Sequence, residues 1–277
     1  AMVTLYFFFT NPVTRLAVLI CMIKRMYQLG LLSSIIFLYA GIGMWVAGRS
    51  KGDSPQVVTV PELYSIGIGL GVLSYLTLLL GILGIMERWV YLLIMGILII
   101  FTRRQLWEFG QYIYMRFKEV KEFREAWPLP KVGIFNLILI SLFGMSVILN
   151  LIGAFTPEVH YDALEYHFGA PSEFLKDGRI HFLKNNVYSN FPSLVEMLYL
   201  LGMLIEGDTL AKLFHWAFGI LTGVTIFSFG KRLFGVKTGL VGMVIFYIFA
   251  QITILSTQAL IDMGLAFYSF LGLMAII

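Results

Sequence analysis

Charge is scarce in this chain. Asp, Glu, Lys and Arg make up 13% of its 277 residues, while hydrophobic residues make up 59%. Soluble domains are roughly a quarter charged and about half apolar, so that class is excluded and an integral membrane protein is expected. Cysteine is nearly missing. Cys21 is the only one, which rules out an internal disulfide and a cysteine-based metal site. The apolar–polar alternation of membrane-spanning strands is lacking too, so the spans are expected to be helical. No internal repeat recurs at spacings of about 20–50 residues. No small-residue cleavage site follows the first apolar run, so no cleavable signal peptide is expected. The formal charge of +4 gathers in basic loops, which report topology rather than nucleic-acid binding.

What is abundant is long apolar sequence. A helix needs about twenty residues to cross hydrocarbon. Spans are expected at 29–47, 63–86, 88–102, 132–155, 209–230, 237–256 and 259–277, with 2–22 as a further candidate. Ala1 precedes Met2 and the chain stops inside an apolar run, so it reads as the N-terminal part of a longer protein. The connection 103–131 carries Arg103, Arg104, Arg116, Lys118, Lys121, Arg124 and Lys131, which places it on the cytoplasmic side. Its aromatics (Trp107, Phe109, Tyr112, Tyr114, Phe117) suit a helix lying on the bilayer surface. A solvated linker is the plainer alternative.

The span 132–155 then leads outward to a polar connection, 156–208. Within it the run 193–205 is short and contains Glu196. It suits an interfacial or re-entrant helix, because a crossing there would put Lys231, Arg232 and Lys237 outside. With that parity 209–230 runs inward, 237–256 runs outward, and Asp262 starts the last helix at the face that carries Asp162. Lys24 and Arg25 fall outside, a local exception to the charge rule.

Carboxylates, histidines and tyrosines crowd 156–190, and such groups are costly beside lipid without a use. Thr156-Pro157-Glu158 reads as a helix start: hydroxyl cap, first-turn proline, then an acid. Continued, that helix puts Asp162, Glu165 and Tyr166 on one face and His160 and His167 on the next. Pro171 is expected to break it, and a second short helix ends at Asp177-Gly178. The bland readings stand beside these. Asp162 and Glu165 have capping-box spacing, and Asp262 complements a helix N-terminus. His215 reads as a packing histidine, and Glu196 as an interfacial anchor. His160, His167 and His181 match no strong metal-ligand spacing. Lys176, Arg179 and Lys184 are either solvated or a cradle for a phosphate.

Taken in order, several segments resemble the GT-C class of membrane glycosyltransferases. They are Asp162 to His167, Ala170-Pro171, Asp177 to Ile180, Asn190 to Pro192, Glu196 to Tyr199, Lys231 to Gly235 and Ala259 to Asp262. The resemblance is to the phospholipid-carrier-dependent enzymes of bacteria and archaea (family 39), related to protein O-mannosyltransferases and aminoarabinose transferases. It covers about 150–277. It implies an all-α polytopic helix bundle. Residues 1–131 would form N-terminal spans with a cytoplasmic amphipathic connection, and 132–277 a truncated catalytic core. Short interfacial helices would sit in the large extracytoplasmic loop. It further implies inverting transfer of a sugar from a polyprenyl-phosphate carrier to an acceptor hydroxyl of a glycan, lipid or protein. The setting would be the outer face of a prokaryotic cytoplasmic membrane.

In such enzymes the leading Asp of the first outer loop is taken as the base, a role that carries over to Asp162. Many members have a second acid directly after it, where this chain has Ala163; Glu165 is the candidate for that function. Tyr166, His167 and Asp262 would contact substrate, and Arg179 or Lys184 the departing phosphate. A divalent metal stays open. Two rivals have other chemistry. A transporter or flippase for a lipid-linked or polar solute would need charges near mid-membrane or paired broken repeats. A scaffold would use 156–190 to dock a partner protein.

Overall fold

A computed structural model describes residues 12–48, 61–126 and 133–276, and the described residues are helical throughout apart from turns and short extended links. In chain order the helices are α1 (Pro12–Val46), α2 (Pro61–Ile82), α3 (Arg88–Phe101), α4 (Arg103–Ala126) and α5 (Ile134–Ala154). After a polar connection come α6 (Gly169–Asp177), α7 (Glu196–Ile205), α8 (Asp208–Phe234), α9 (Val236–Ile248), α10 (Ala250–Leu255) and α11 (Asp262–Ile276). Four described helices are long and apolar enough to cross a membrane: most of α1, then α2, α5 and α8. A fifth candidate is α3 with the first half of α4, bent by 76°. This is the helical, multi-pass architecture that the composition demands.

The number and boundaries of the spans differ from the sequence reading. The expected 29–47 and 2–22 are not separate helices, because α1 runs unbroken through Lys24 and Arg25. Residues 2–11 of the second of these lie outside the described residues. The basic pair does not end the helix because its charges find partners at the loop end of the bundle. Arg25 donates to Thr209 at 2.9 Å and Gln28 at 3.0 Å, and lies 5.3 Å over the Phe155 ring. Gln28 reaches Glu206 at 3.1 Å, with Lys24 3.8 Å from the same carboxylate.

The expected 237–256 is interrupted at Phe249, whose extended backbone separates α9 from α10. Hydroxyls make that break tolerable in apolar surroundings. Thr253 donates to the Tyr247 carbonyl at 3.3 Å and Ser256 to that of Thr253 at 3.2 Å. The expected 259–277 becomes helical only at Asp262, so α11 has 15 residues. α9, with 13 residues, is shorter than a full span.

α8 is the central helix. Its buried Leu213, Phe214 and Phe218 pack with Tyr199 of α7 and Phe267 of α11 in one core. α8 and α9 form a hairpin that closes tightly where Gly230 meets Gly239. α1 and α2 approach even more closely: a Cβ on Gly69 would fall on the Tyr39 carbonyl, and one on Gly43 on the Ser65 carbonyl. Small residues permit such backbone contact between apolar helices, where packing rather than water drives association. Gly69→Ala is therefore expected to destabilise the protein by about 1–3 kcal/mol. Gly96 of α3 has nothing within 4 Å of its Cβ position, so Gly96→Ala is neutral or slightly stabilising. Thermal unfolding of both variants in detergent checks the contrast.

Candidate functional site

The polar connection folds against the loop end of α2, α8 and α11. Its expected helix start at Thr156-Pro157-Glu158 does not form. The backbone is non-helical over 157–160, and helix begins at Tyr161. Tertiary partners outweigh the local capping signal. The Glu158 side chain is 3% exposed, and one oxygen accepts from the Val159 and His160 amides at 2.9 and 3.0 Å. The other accepts from the Ala259 amide at 2.8 Å and lies 3.5 Å from buried Lys212 of α8. Lys212 in turn donates to the Thr156 carbonyl at 2.9 Å. Thr156 and Ala259 belong to the segments that lead to Asp162 and Asp262. One carboxylate thus ties both segments to α8.

From Tyr161 the chain enters a π-helical turn, Ala163–His167, closed by the Phe168 amide on the Ala163 carbonyl at 2.7 Å. The wider turn changes which side chains share a face. Asp162, Tyr166 and His167 line one cleft, and Glu165 is not among its lining residues. Asp162 makes no capping hydrogen bond, so the capping-box reading of Asp162 and Glu165 is not realised. Pro171 does not break a helix either. It sits in the first turn of α6, where a missing N–H costs nothing, and α6 ends at Gly178 in the left-handed region, φ 68°.

The cleft has a volume of about 460 Å³, with α6 and the end of α10 giving apolar walls and four other segments its titratable and aromatic groups. The π-turn region supplies His160, Asp162, Tyr166 and His167. The 188–193 segment supplies Tyr188 and Phe191, α7 supplies Glu196, and the start of α11 supplies Asp262. Glu196 is 7% exposed and His167 4%, and Glu196 Oε1 lies 2.8 Å from His167 Nδ1. Tyr166 packs between His167 and Tyr188, with ring centroids at 4.2 and 5.5 Å. Burial raises the Tyr166 pKa, reinforced by the nearby charges of Asp162, Glu196 and Asp262, so its phenol stays a proton donor. Beneath the cleft Tyr199 donates to the Leu260 carbonyl and accepts from His215 Nδ1 at 2.7 Å, holding the approach to Asp262. His215 is thus the packing histidine its setting suggested.

The remaining candidates lie elsewhere. Glu165 and Lys184 line a separate depression with Glu173 and Asn186. Arg179 is exposed and lines neither depression. Lys176 pairs with Glu173 at 2.7 Å, and His181 with Asp177 at 2.6 Å. The hydrogen bond that His181 donates to the Asp177 carboxylate raises the His181 pKa. The basic residues 176, 179 and 184 therefore form no cradle at Asp162. Among the described residues no group of three or more His, Cys, Asp and Glu side chains could hold a metal ion.

Sequence reasoning read Glu196 as an interfacial anchor and Glu158 as a first-turn helix acid, and placed neither in the site. The signal for Glu196 was a single carboxylate heading an apolar run that also ends too soon to cross a membrane. Glu158 gave none, since a first-turn acid is ordinary. Chemically the cleft combines a half-buried carboxylate, Asp162, and an exposed one, Asp262, both able to accept a proton, with a buried imidazole–carboxylate pair and aromatic walls. No family model matches this chain, and no curated protein or solved structure matches it either.

Proposed function

We propose that this chain carries the acceptor- and donor-head site of a membrane glycosyltransferase, one that moves a sugar from a polyprenyl-phosphate carrier to an acceptor hydroxyl. The observation that carries this reading is the meeting of Asp162 and Asp262 in one cleft, brought there by separate helical elements. Asp162 has no capping bond to hold it, so its carboxylate is free to take the proton of an attacking hydroxyl. Attack at C1 from the side opposite the phosphate inverts the anomeric centre. Tyr166 and Asp262 offer the sugar hydroxyls one donor and one acceptor. The flanking apolar helices would hold the polyprenyl chain in lipid while its head reaches the cleft.

Glu165, Arg179 and Lys184 have no part in this scheme, because they do not line the cleft. The test is transfer by the full-length protein in nanodiscs, using undecaprenyl-phosphate hexoses as donors. Turnover by the wild type that is lost in Asp162→Asn supports the reading. Full turnover in that variant ends the base assignment, and a wild type that turns over none of the donors ends the reaction.

A further inference from the structure

We propose that His167 and Glu196 form the general acid of this cleft, with His167 Nε2 protonating the phosphate oxygen that leaves C1 of a lipid-linked sugar. The proposal rests on the transfer reaction above and supplies the step that reaction lacks. A departing phosphate needs a proton or a positive partner at the moment the bond breaks. No lysine or arginine is among the described residues that line the cleft.

His167 is the group with the right connections. Its Nδ1 lies 2.8 Å from Glu196 Oε1, and no other hydrogen bond reaches its side chain among the described residues. An ionised carboxylate only accepts, so Nδ1 donates and Nε2 is the nitrogen left for the cleft. Glu196 also supplies the counter-charge that a buried imidazolium requires. A carboxylate that fixes the tautomer of an imidazole, which then handles the reacting proton, is the arrangement of nucleophile-activating triads turned to acid work. The titratable groups around His167 are Asp162 and Tyr166 on its own turn, His160 and Tyr188 on the adjoining segments, Tyr199 on α7, His215 on α8 and Asp262 on α11.

The step balances. The acceptor oxygen bonds C1 and gives its proton to Asp162. The C1–O bond to phosphate breaks with its electron pair on oxygen, and that oxygen takes the Nε2 proton. Solvent then returns a proton from Asp162 to His167. A pair that merely fastened α7 to the π-turn would affect folding and leave the pH profile alone.

The experiment is the pH dependence of kcat and KM for transfer from undecaprenyl-phosphate hexoses by the full-length protein. The wild type is expected to give a bell-shaped profile. His167→Gln should remove its alkaline limb and lower kcat by about a hundred- to ten-thousand-fold, with KM changed only a few-fold. Glu196→Gln should move the alkaline limb to lower pH. An active wild type alongside a His167→Gln variant that keeps both limbs and near-normal kcat overturns this pair alone. A wild type that transfers none of these sugars overturns the reaction and this assignment together. If His167→Gln does not fold, histidine-selective 15N spectra of the wild type decide. Nδ1 of His167 protonated on both limbs, with Nε2 losing its proton on the alkaline limb, supports the pair; an unprotonated Nδ1 overturns it.

Discussion

Asp162→Asn is expected to lower the rate of the proposed sugar transfer by about a hundred- to ten-thousand-fold, a barrier increase of about 3–5 kcal/mol. Asparagine keeps the size and the hydrogen-bonding reach of the side chain but cannot take a proton. The loss should therefore fall on kcat, with donor KM nearly unchanged. Stability should be untouched to within about 0.5 kcal/mol. The physical reason is local: Asp162 is itself helical, makes no capping bond and lines an open cleft. Paired measurements of kcat and thermal midpoint separate the roles. A fall in midpoint with kcat preserved would mean that Asp162 is a structural cap after all. Asp262→Asn should cost less in rate, since that carboxylate is assigned to hold a hydroxyl rather than to accept the reacting proton.

Glu158→Ala should have the largest effect on folding, a loss of about 3–5 kcal/mol. Three backbone amides, of Val159, His160 and Ala259, lose their acceptor. Lys212, 2% exposed, keeps its charge without its carboxylate partner. Removing one member of a buried pair is far worse than never having had it, because the survivor's desolvation is no longer offset. Lys212→Met alone should be nearly as damaging, by leaving Glu158 unpaired. The double variant Glu158→Gln with Lys212→Met should recover much of the loss, since glutamine retains an acceptor for the amides. With the single variant Glu158→Gln added to close the cycle, unfolding of the wild type, Glu158→Gln, Lys212→Met and the double variant in mixed micelles gives the coupling. Additive losses would show that the two side chains act independently. Because Glu158 joins the segments before Asp162 and Asp262, variants that still fold should also lose transfer.

Much of the architecture was legible from the chain because it follows from solvent. With so few charges and such long apolar runs, only hydrogen-bonded helices satisfy the backbone in lipid. The approximate positions of α2, α3, α5 and α8 follow from that rule. The missed boundaries fall where side chains answered a local signal from far away in sequence. Lys24 and Arg25 fall between the expected spans 2–22 and 29–47, and α1 continues through them with Glu206 and Thr209 placed beside them. The 237–256 run looked continuous because nothing in it announces the extended link at Phe249. Its hydroxyls, which tolerate the break, are equally common in unbroken helices.

The candidate site was legible in part for the same reason. Polar residues beside lipid mark themselves, so Asp162, Tyr166, His167 and Asp262 could be singled out without coordinates. Their neighbours could not. A helix of ordinary pitch would put Glu165 beside Asp162, and the π-turn puts His167 there instead, because one extra residue per turn rotates the face. Composition and hydropathy determined that this chain is a bundle of apolar helices with one reactive-looking polar connection, since those depend only on what each residue type costs in lipid. Which carboxylates meet in a cleft, and that Glu196 is buried in its wall while the Glu158 side chain is buried against Lys212, was decided by tertiary packing. Such pairings depend on distances between segments far apart in the chain, and no local pattern encodes them.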